Sequence, residues 1–184
     1  MSATHAIVGV TGSIAAYKAV ELTRLMKKRG WEVSVIMTAA ATRFVGELTF
    51  RTLSQNPVGV EMFDPGIEWN PDHIALADRA DVVVIAPCTA NVLAKLAHGL
   101  CDDLLSATVL ACRAPLVLAP AMNENMWNHP ATRANVRTLK ERGACWVEPG
   151  AGDLACGREG RGRLADTAAI VEIAVQALEQ GRAE

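Results

Sequence analysis

Short, predominantly apolar runs recur along this chain, and a stretch with helical periodicity follows each of them. The runs lie at 6–10, 33–37, 81–86, 115–119 and 145–147. Strands of this kind, without regular alternation of polar and apolar residues, are typical of parallel sheets that are covered on both faces. The helical patterns run first from Ala15 to Gly30 and then lie near 41–55, 90–98, 103–112, 130–142 and 167–180. This alternation predicts an α/β fold, a three-layer doubly wound parallel sheet.

The composition indicates a globular chain with no electrostatic affinity for polyanions. With 51% hydrophobic and 21% charged residues, the 184-residue chain can bury a large core. We expect residues 1–184 to form one domain. The net charge is −2 and the longest basic run is Lys27-Lys28-Arg29, so neither a nucleic acid nor an anionic membrane is expected as partner.

The sequence shows no targeting segment and no cysteine framework. The N-terminus lacks the features of a signal peptide, and the apolar stretches end well before the roughly 20 residues of a membrane span. We therefore expect a soluble, cytoplasmic protein. The five cysteines are odd in number and include no C-x-x-C pair, and His5, His98 and His129 lack metal-ligand spacing. Neither a disulfide framework nor a metal site is predicted.

Hydroxyl side chains follow three of the predicted strands, within Thr11–Ala16, Met37–Ala41 and Ala86–Asn91. Each hydroxyl could be a helix cap, including Ser13 at the start of the first helix. Ligands of doubly wound sheets bind beyond the carboxyl ends of the strands, so three such turns favour a cradle for a phosphate and a ring. The G-x-G-x-x-G fingerprint and the acidic residue of an NAD site are missing, which favours a mononucleotide.

Titratable side chains outside these turns have two interpretations each. His73 follows Asp72 at the expected start of a short helix, where it is either a surface histidine or a general base. Asp102 and Asp103 are adjacent, so their side chains diverge. They are expected to cap the helix near 103–112 and not to form an acid–base pair.

A glycine-rich segment, Glu148 to Asp166, is expected to be a long irregular loop. Cys156 lies within it among Arg158, Arg161 and Arg163, an electropositive setting that favours a reactive thiolate. The alternative is that these charges form an ordinary solvated loop.

Two asparagines, two methionines and a tryptophan crowd into residues 120–127, PAMNENMW, at the end of a predicted buried strand. A plain connection to the next helix does not need this mixture. The segment is either a packed corner of the core or part of a binding site.

Together these motifs resemble one family, the homo-oligomeric flavin-containing cysteine decarboxylases. The resemblance spans nearly the whole chain. It is carried by Gly12–Lys18, His73-Ile74-x-Leu76, Pro87-x-Thr89-Ala90-Asn91, Pro120-Ala121-Met122-Asn123-x-x-Met126-Trp127 and Ala155-Cys156-Gly157 with Gly162-Arg163. It implies a flavodoxin-like (Rossmann-like) fold, bound FMN, a small-molecule substrate and a homo-oligomer, a trimer or a multiple of trimers.

The resemblance also implies the roles of individual residues. His73 would be the catalytic base, Cys156 the proton donor, and Asn123 the ligand of the substrate carboxylate. Further substrate contacts would be Met126, Asp153, Leu154, Ala155 and Arg163. The FMN contacts would be Gly12, Ser13, Ile14, Thr38, Cys88, Thr89, Ala90, Asn91 and Ala121.

The activity implied by the resemblance is FMN-dependent decarboxylation of 4′-phospho-N-pantothenoylcysteine to 4′-phosphopantetheine, without a ligase domain. The Ala-Cys-Gly stretch favours this complete cycle, in which the final product is a saturated thiol. One alternative is a peptidyl-cysteine decarboxylase, which would stop at an enethiol. Another is a flavin-binding regulatory subunit, which would carry out no turnover.

Overall fold

Six parallel strands form the central sheet of the computed structural model, which describes residues 3–63, 72–153, 157 and 159–181. The strands are β1 (His5–Val10), β2 (Glu32–Met37), β3 (Val58–Gly59), β4 (Val82–Cys88), β5 (Leu116–Pro120) and β6 (Cys145–Trp146). Their order is β3-β2-β1-β4-β5-β6, with every neighbouring pair parallel. The order reverses direction between β1 and β4, which is where such sheets bind ligands.

Helices cover both faces of this sheet. They are α1 (Ala16–Lys28), α2 (Glu47–Ser54), α3 (Asp72–Arg79), α4 (Ala90–His98), α5 (Leu104–Ala111), α6 (Glu124–Asn128), α7 (Pro130–Glu141) and α8 (Thr167–Gly181), with a 3₁₀ turn at Ala41–Arg43. No helix in the described ranges is both long and apolar enough to cross a bilayer.

Two apolar cores, one on each face, confirm the predicted three-layer doubly wound fold. Within β1, Val8 belongs to the core that also contains Leu22 of α1 and Ile170 of α8. Its neighbour Ile7 belongs to the opposite core, with Leu93 of α4. Because adjacent strand residues point to opposite faces, a strand buried on both sides must be apolar at nearly every position.

The long segment after β6 differs from the expected irregular loop. It contains an antiparallel hairpin of β7 (Gly150–Asp153) and β8 (Glu159–Arg163), in which Gly150 pairs with Arg163 and Asp153 pairs with Glu159. This prediction was wrong because the hairpin has no apolar alternation. Its strands hold together through backbone pairing and contacts with the main body of the chain.

Candidate cofactor and substrate site

The turns that follow β1 and β4 are joined by the side chain of Thr11. Its hydroxyl donates to the carbonyl of Pro87 at 2.7 Å and accepts from the backbone N–H of Thr89 at 3.1 Å. Thr11 is completely buried, so both bonds are shielded from water. They fix the two turns at the switch in strand order relative to each other.

The turn after β2 packs against the turn after β1. The backbone N–H of Thr38 donates to the carbonyl of Val10 at 3.0 Å. A Cβ added at Gly12 would lie 2.5 Å from the Cβ of Ala40, so a larger residue would force the two turns apart. The ends of β1, β2 and β4 therefore form one continuous surface.

The three hydroxyls at these strand ends have different partners. Thr89 caps α4 by accepting from the N–H of Val92 at 3.4 Å. Ser13 is not the cap of α1, which was one of its two interpretations: its hydroxyl accepts from the N–H of Ala15 at 3.3 Å, and the helix cap is Ala15 itself. A two-residue turn precedes the helix and takes up that bond.

The hydroxyl of Thr38 is the strongest sign that this surface can bind a polar ligand. Its Oγ1 atom is buried and has no hydrogen-bond partner among the described residues. Buried polar atoms are almost always hydrogen-bonded, and leaving one unpaired costs about 1–3 kcal/mol. A polar ligand at this strand end would satisfy it.

The end of β5 is attached to the end of β4. The backbone N–H of Ala121 donates to the carbonyl of Cys88 at 3.1 Å. The Cys88 side chain is fully buried, and desolvation raises the pKa of its thiol far above the ordinary value. Cys88 therefore stays a neutral thiol that shapes the site and is not a nucleophile.

Residues 120–127, PAMNENMW, contain a buried part and an exposed part. Trp127 is buried and stacks on Trp146 with ring centroids 6.2 Å apart, so this end of the segment is a core corner. Asn123 and Met126 are exposed. The Oδ1 atom of Asn123 accepts from the N–H of Asn125 at 2.9 Å, which fixes the orientation of its amide at the start of α6.

The β7–β8 hairpin is docked on this same segment. The N–H of Met122 donates to the carbonyl of Gly162 at 2.9 Å. Gly162 has a φ of +134°, and a Cβ there would overlap the Met122 carbonyl, so both the backbone conformation and the close approach require glycine. Asp153 ends β7 next to the connecting residues 154–158, whereas Arg163 ends β8 at the other end of the hairpin, where it pairs with Gly150.

Of the two proposed catalytic residues, His73 and Cys156, the structure describes only His73. His73 is half-buried in the first turn of α3. Because α3 leads directly into β4, it runs opposite to the strands and its first turn is directed towards their carboxyl ends. Cys156, Leu154 and Ala155 lie outside the described residues, and their roles stay predictions.

Of the acidic pair, Asp103 caps α5 as expected, whereas Asp102 is not a cap and pairs with Lys95. The Nζ atom of Lys95 lies 2.6 Å from a carboxylate oxygen of both Asp102 and Asp103, and Asp103 forms a capping box with Ser106 at the start of α5. The hydrogen bonds that Lys95 donates to the carboxylates of Asp102 and Asp103 raise its pKa. Burial alone would raise the pKa of Asp103, but the bonds from Lys95 and Ser106 outweigh it and lower that pKa. No metal-binding cluster occurs among the described residues.

Sequence reasoning missed two contributors to the site, Thr11 and Glu124. Thr11 resembles any strand-end hydroxyl, and only its burial distinguishes it. The side chain of Glu124 accepts a hydrogen bond from the hairpin, a contact between residues far apart in sequence.

A cavity of about 630 Å³ between Arg113, Leu116 and Arg142 lies at the amino ends of the strands, on the opposite side of the sheet from these turns, and is separate from them.

Comparisons with known proteins give the chain a family and a set of relatives. A model of the Flavoprotein family matches residues 1–179. The coenzyme A biosynthesis bifunctional protein CoaBC of Bacillus subtilis is 48% identical over 168 residues, which are 90% of this chain and 41% of that protein. The chain thus spans about two fifths of the length of this curated relative.

Solved structures similar to this one cover almost the whole chain. A cysteine-to-serine mutant of PPC decarboxylase, complexed with pantothenoylaminoethenethiol, matches with a TM-score of 0.85 at 32% identity, over 97% of this chain and 100% of the other. The FMN-dependent cysteine decarboxylase SpaF matches with a TM-score of 0.81 at 35% identity, over 95% of this chain and 97% of the other.

Proposed function

The chain belongs to the Flavoprotein family, and from this we propose that it is an FMN-dependent decarboxylase of 4′-phospho-N-pantothenoylcysteine, with 4′-phosphopantetheine as product. The observation that carries the proposal is the position of Asn123. Asn123 starts the helix α6 just after β5. The end of β5 is hydrogen-bonded to the end of β4, and the β7–β8 hairpin docks beside Asn123. The relatives named for coenzyme A biosynthesis and PPC decarboxylation support the substrate.

The strand-end surface suits a flavin mononucleotide. The Thr38 hydroxyl, which has no hydrogen-bond partner among the described residues, would supply a polar contact, and the sequence has no acidic residue at the end of β2 to favour a dinucleotide. The residues that would hold FMN are Gly12, Ser13, Ile14, Thr38, Cys88, Thr89, Ala90, Asn91 and Ala121. FMN is also the cofactor in the name of the similar decarboxylase SpaF.

The chemistry explains why a flavin enzyme of this kind needs a base and an acid. Direct loss of CO₂ from a cysteine carboxylate would leave an unstabilised carbanion, so the carbon bearing the thiol must first be oxidised to a thioaldehyde. When bound, FMN supplies the hydride acceptor for that oxidation and the hydride donor for the final reduction. His73 would take the proton that leaves during oxidation.

The remaining steps fall to the substrate contacts and Cys156. Asn123 would hold the carboxylate until CO₂ departs and its electron pair moves onto the thioaldehyde, giving an enethiol. Cys156 would then donate the proton that accompanies hydride return, giving the saturated thiol. Met126, Asp153, Leu154, Ala155 and Arg163 would position the substrate. A cysteine-to-serine PPC decarboxylase complexed with an enethiol fits such a role for cysteine.

We propose that the protein acts as a cytoplasmic homo-oligomer built from trimers. Large apolar side chains are exposed on segments that follow the carboxyl ends of the strands: Ile14, Tyr17, Phe44, Leu48, Phe63, Ile74 and Met126. Exposed apolar surface of this extent on one edge is typical of an interface between protein chains. Light scattering on the purified protein tests this point, and a monomer would contradict it.

The proposed function is tested by flavin binding and CO₂ release together. The protein should bind FMN, and with the phosphopantothenoyl substrate it should release CO₂. His73→Asn should abolish that release while leaving FMN bound. A protein that does not bind FMN would overturn the proposal. Binding without turnover would favour a regulatory subunit, and turnover only of peptides ending in cysteine would favour a peptidyl-cysteine decarboxylase.

A further inference from the structure

A carboxylate outside the proposed catalytic set holds the hairpin in place. Glu124 is the first residue of α6 and follows Asn123 directly. Its Oε1 atom accepts a hydrogen bond of 3.2 Å from the backbone N–H of Arg161 in β8, and the side chain is half-buried. This bond connects residues that are 37 positions apart in the sequence.

Gly160 provides the space in which the Glu124 side chain lies. A Cβ added at Gly160 would come within 2.6 Å of Oε2 and 2.9 Å of Cδ of Glu124. The carboxyl group therefore occupies the space that a side chain at residue 160 would need. Any side chain at residue 160 would push it away.

The contact with Glu124 is one of two that set the register of β8. One residue after Arg161, the carbonyl of Gly162 accepts from the N–H of Met122. Residues 122–124 and 160–162 thus run side by side, joined at both ends. A shift of β8 by one residue would break both bonds and bring the Met122 carbonyl against a side chain in place of Gly162.

We propose that Glu124 is a positioning residue that fixes the hairpin against the start of α6, next to Asn123. This inference rests on the proposed function, because Cys156 lies between the two hairpin strands in the sequence and is the proposed proton donor. Glu124 acts through the hairpin backbone and does not touch the reacting atoms. Its loss should impair the final protonation more than the oxidation and decarboxylation that precede it.

A competing explanation is that Glu124 only stabilises the first turn of α6 through its negative charge. Glu124→Gln separates the two, since glutamine keeps an oxygen that can accept from Arg161 but loses the charge. Glu47 is a matched control, because it is the first-turn acid of α2 and makes no described contact with the hairpin. Glu47→Ala should leave the products unchanged.

The first readout is the fraction of enethiol among the products of the FMN-loaded enzyme. Glu124→Ala should raise the ratio of enethiol to saturated thiol about threefold to tenfold, the effect of losing one ordinary, solvent-exposed hydrogen bond. Glu124→Gln should stay within about twofold of the parent protein. An unchanged ratio in Glu124→Ala, or an equal rise in Glu124→Gln, would overturn the inference.

A double-mutant cycle gives a second, independent test. Gly160→Ala should raise the enethiol ratio as Glu124→Ala does, because the new methyl group displaces the carboxylate. In the Glu124→Ala background the same change should add little, since nothing remains to be displaced. Additive effects would show that the two residues act separately and would overturn the inference.

The rate of backbone hydrogen exchange at residues 159–163 can be measured without turnover. It therefore tests the positioning role of Glu124 separately from the proposed decarboxylase activity. In the FMN-loaded protein, exchange there should be faster in Glu124→Ala than in the parent or in Glu124→Gln. Unchanged exchange would contradict the positioning role even if the decarboxylase proposal holds. A parent protein that releases only enethiol would instead sink the proposed function, and the exchange result would still decide the role of Glu124.

Discussion

The hydroxyl of Thr11 donates a 2.7 Å hydrogen bond to the carbonyl of Pro87, and this bond joins the ends of β1 and β4. The two strands are neighbours at the point where the strand order reverses. The same oxygen accepts from the N–H of Thr89, so one buried atom orients both turns. The surface proposed to receive FMN is therefore organised from beneath by a residue that need not touch the cofactor.

Thr11→Val should weaken FMN binding about tenfold and lower the free energy of unfolding by about 1–3 kcal/mol, because it leaves buried groups of Pro87 and Thr89 unpaired. Thr23→Val is the matched control, since Thr23 is also buried and bonds only within α1, to the carbonyl of Ala19. Flavin titration and urea unfolding measure both effects. Equal losses of flavin affinity in the two variants would contradict a specific role for Thr11.

Thr38→Val should have opposite effects on the two forms of the protein. Without FMN it should raise the free energy of unfolding by about 1 kcal/mol, because the buried Oγ1 atom has no described partner to lose. With FMN it should weaken binding about tenfold, the effect of one lost hydrogen bond. Destabilisation of the flavin-free form together with unchanged FMN affinity would show that the hydroxyl serves the fold and not the cofactor.

Gly12→Ala should reduce FMN affinity at least about tenfold, because its Cβ would overlap Ala40 and separate the turns after β1 and β2. Gly46→Ala is the control, since a Cβ at Gly46 meets nothing within 4 Å. Fluorescence quenching of FMN on titration measures the affinity of each variant. Normal affinity in Gly12→Ala would mean that the contact between the turns is not needed for binding.

Lys95→Met should lower the free energy of unfolding at neutral pH by about 1 kcal/mol, the upper range for a partly exposed ion pair. The lowered pKa of Asp103 makes its contribution fully present above the ordinary carboxyl value, about 3.9, and lost as the pH falls below it. The raised pKa of Lys95 makes its contribution present below about 10.4 and lost as the pH rises above that.

The difference in unfolding free energy between parent and Lys95→Met should therefore shrink below about pH 4 and above about pH 10. Urea unfolding across this range provides the measurement, and Lys28→Met, at an exposed lysine of α1, provides the control. A difference that does not vary with pH would show that the effect comes from packing and not from the charges.

The sheet could be predicted from sequence wherever a strand is buried on both faces. The runs at 6–10, 33–37, 81–86 and 115–119 lie within one or two residues of observed strands, because burial on both sides makes such strands apolar at nearly every position. Edge strand β3 has only two residues and α6 has only five. Segments this short are too short to show the alternation of a strand or the 3.6-residue period of a helix, so neither could be predicted.

The hairpin could not be predicted for a different physical reason. Its strands carry glycines at 150, 152, 160 and 162, a composition typical of loops, and its register depends on Met122 and Glu124. Contacts between distant residues leave no local pattern. The motif PAMNENMW was correctly recognised as unusual, but only the structure separates its buried Trp127 from its exposed Asn123.

The most direct test of the central claim is the mass of the product formed from 4′-phospho-N-pantothenoylcysteine by the FMN-loaded protein. The parent protein should release 4′-phosphopantetheine, the saturated thiol, and Cys156→Ser should accumulate the enethiol, which is lighter by two hydrogen atoms. Release of the enethiol by the parent protein, or no reaction with this substrate, would contradict the account.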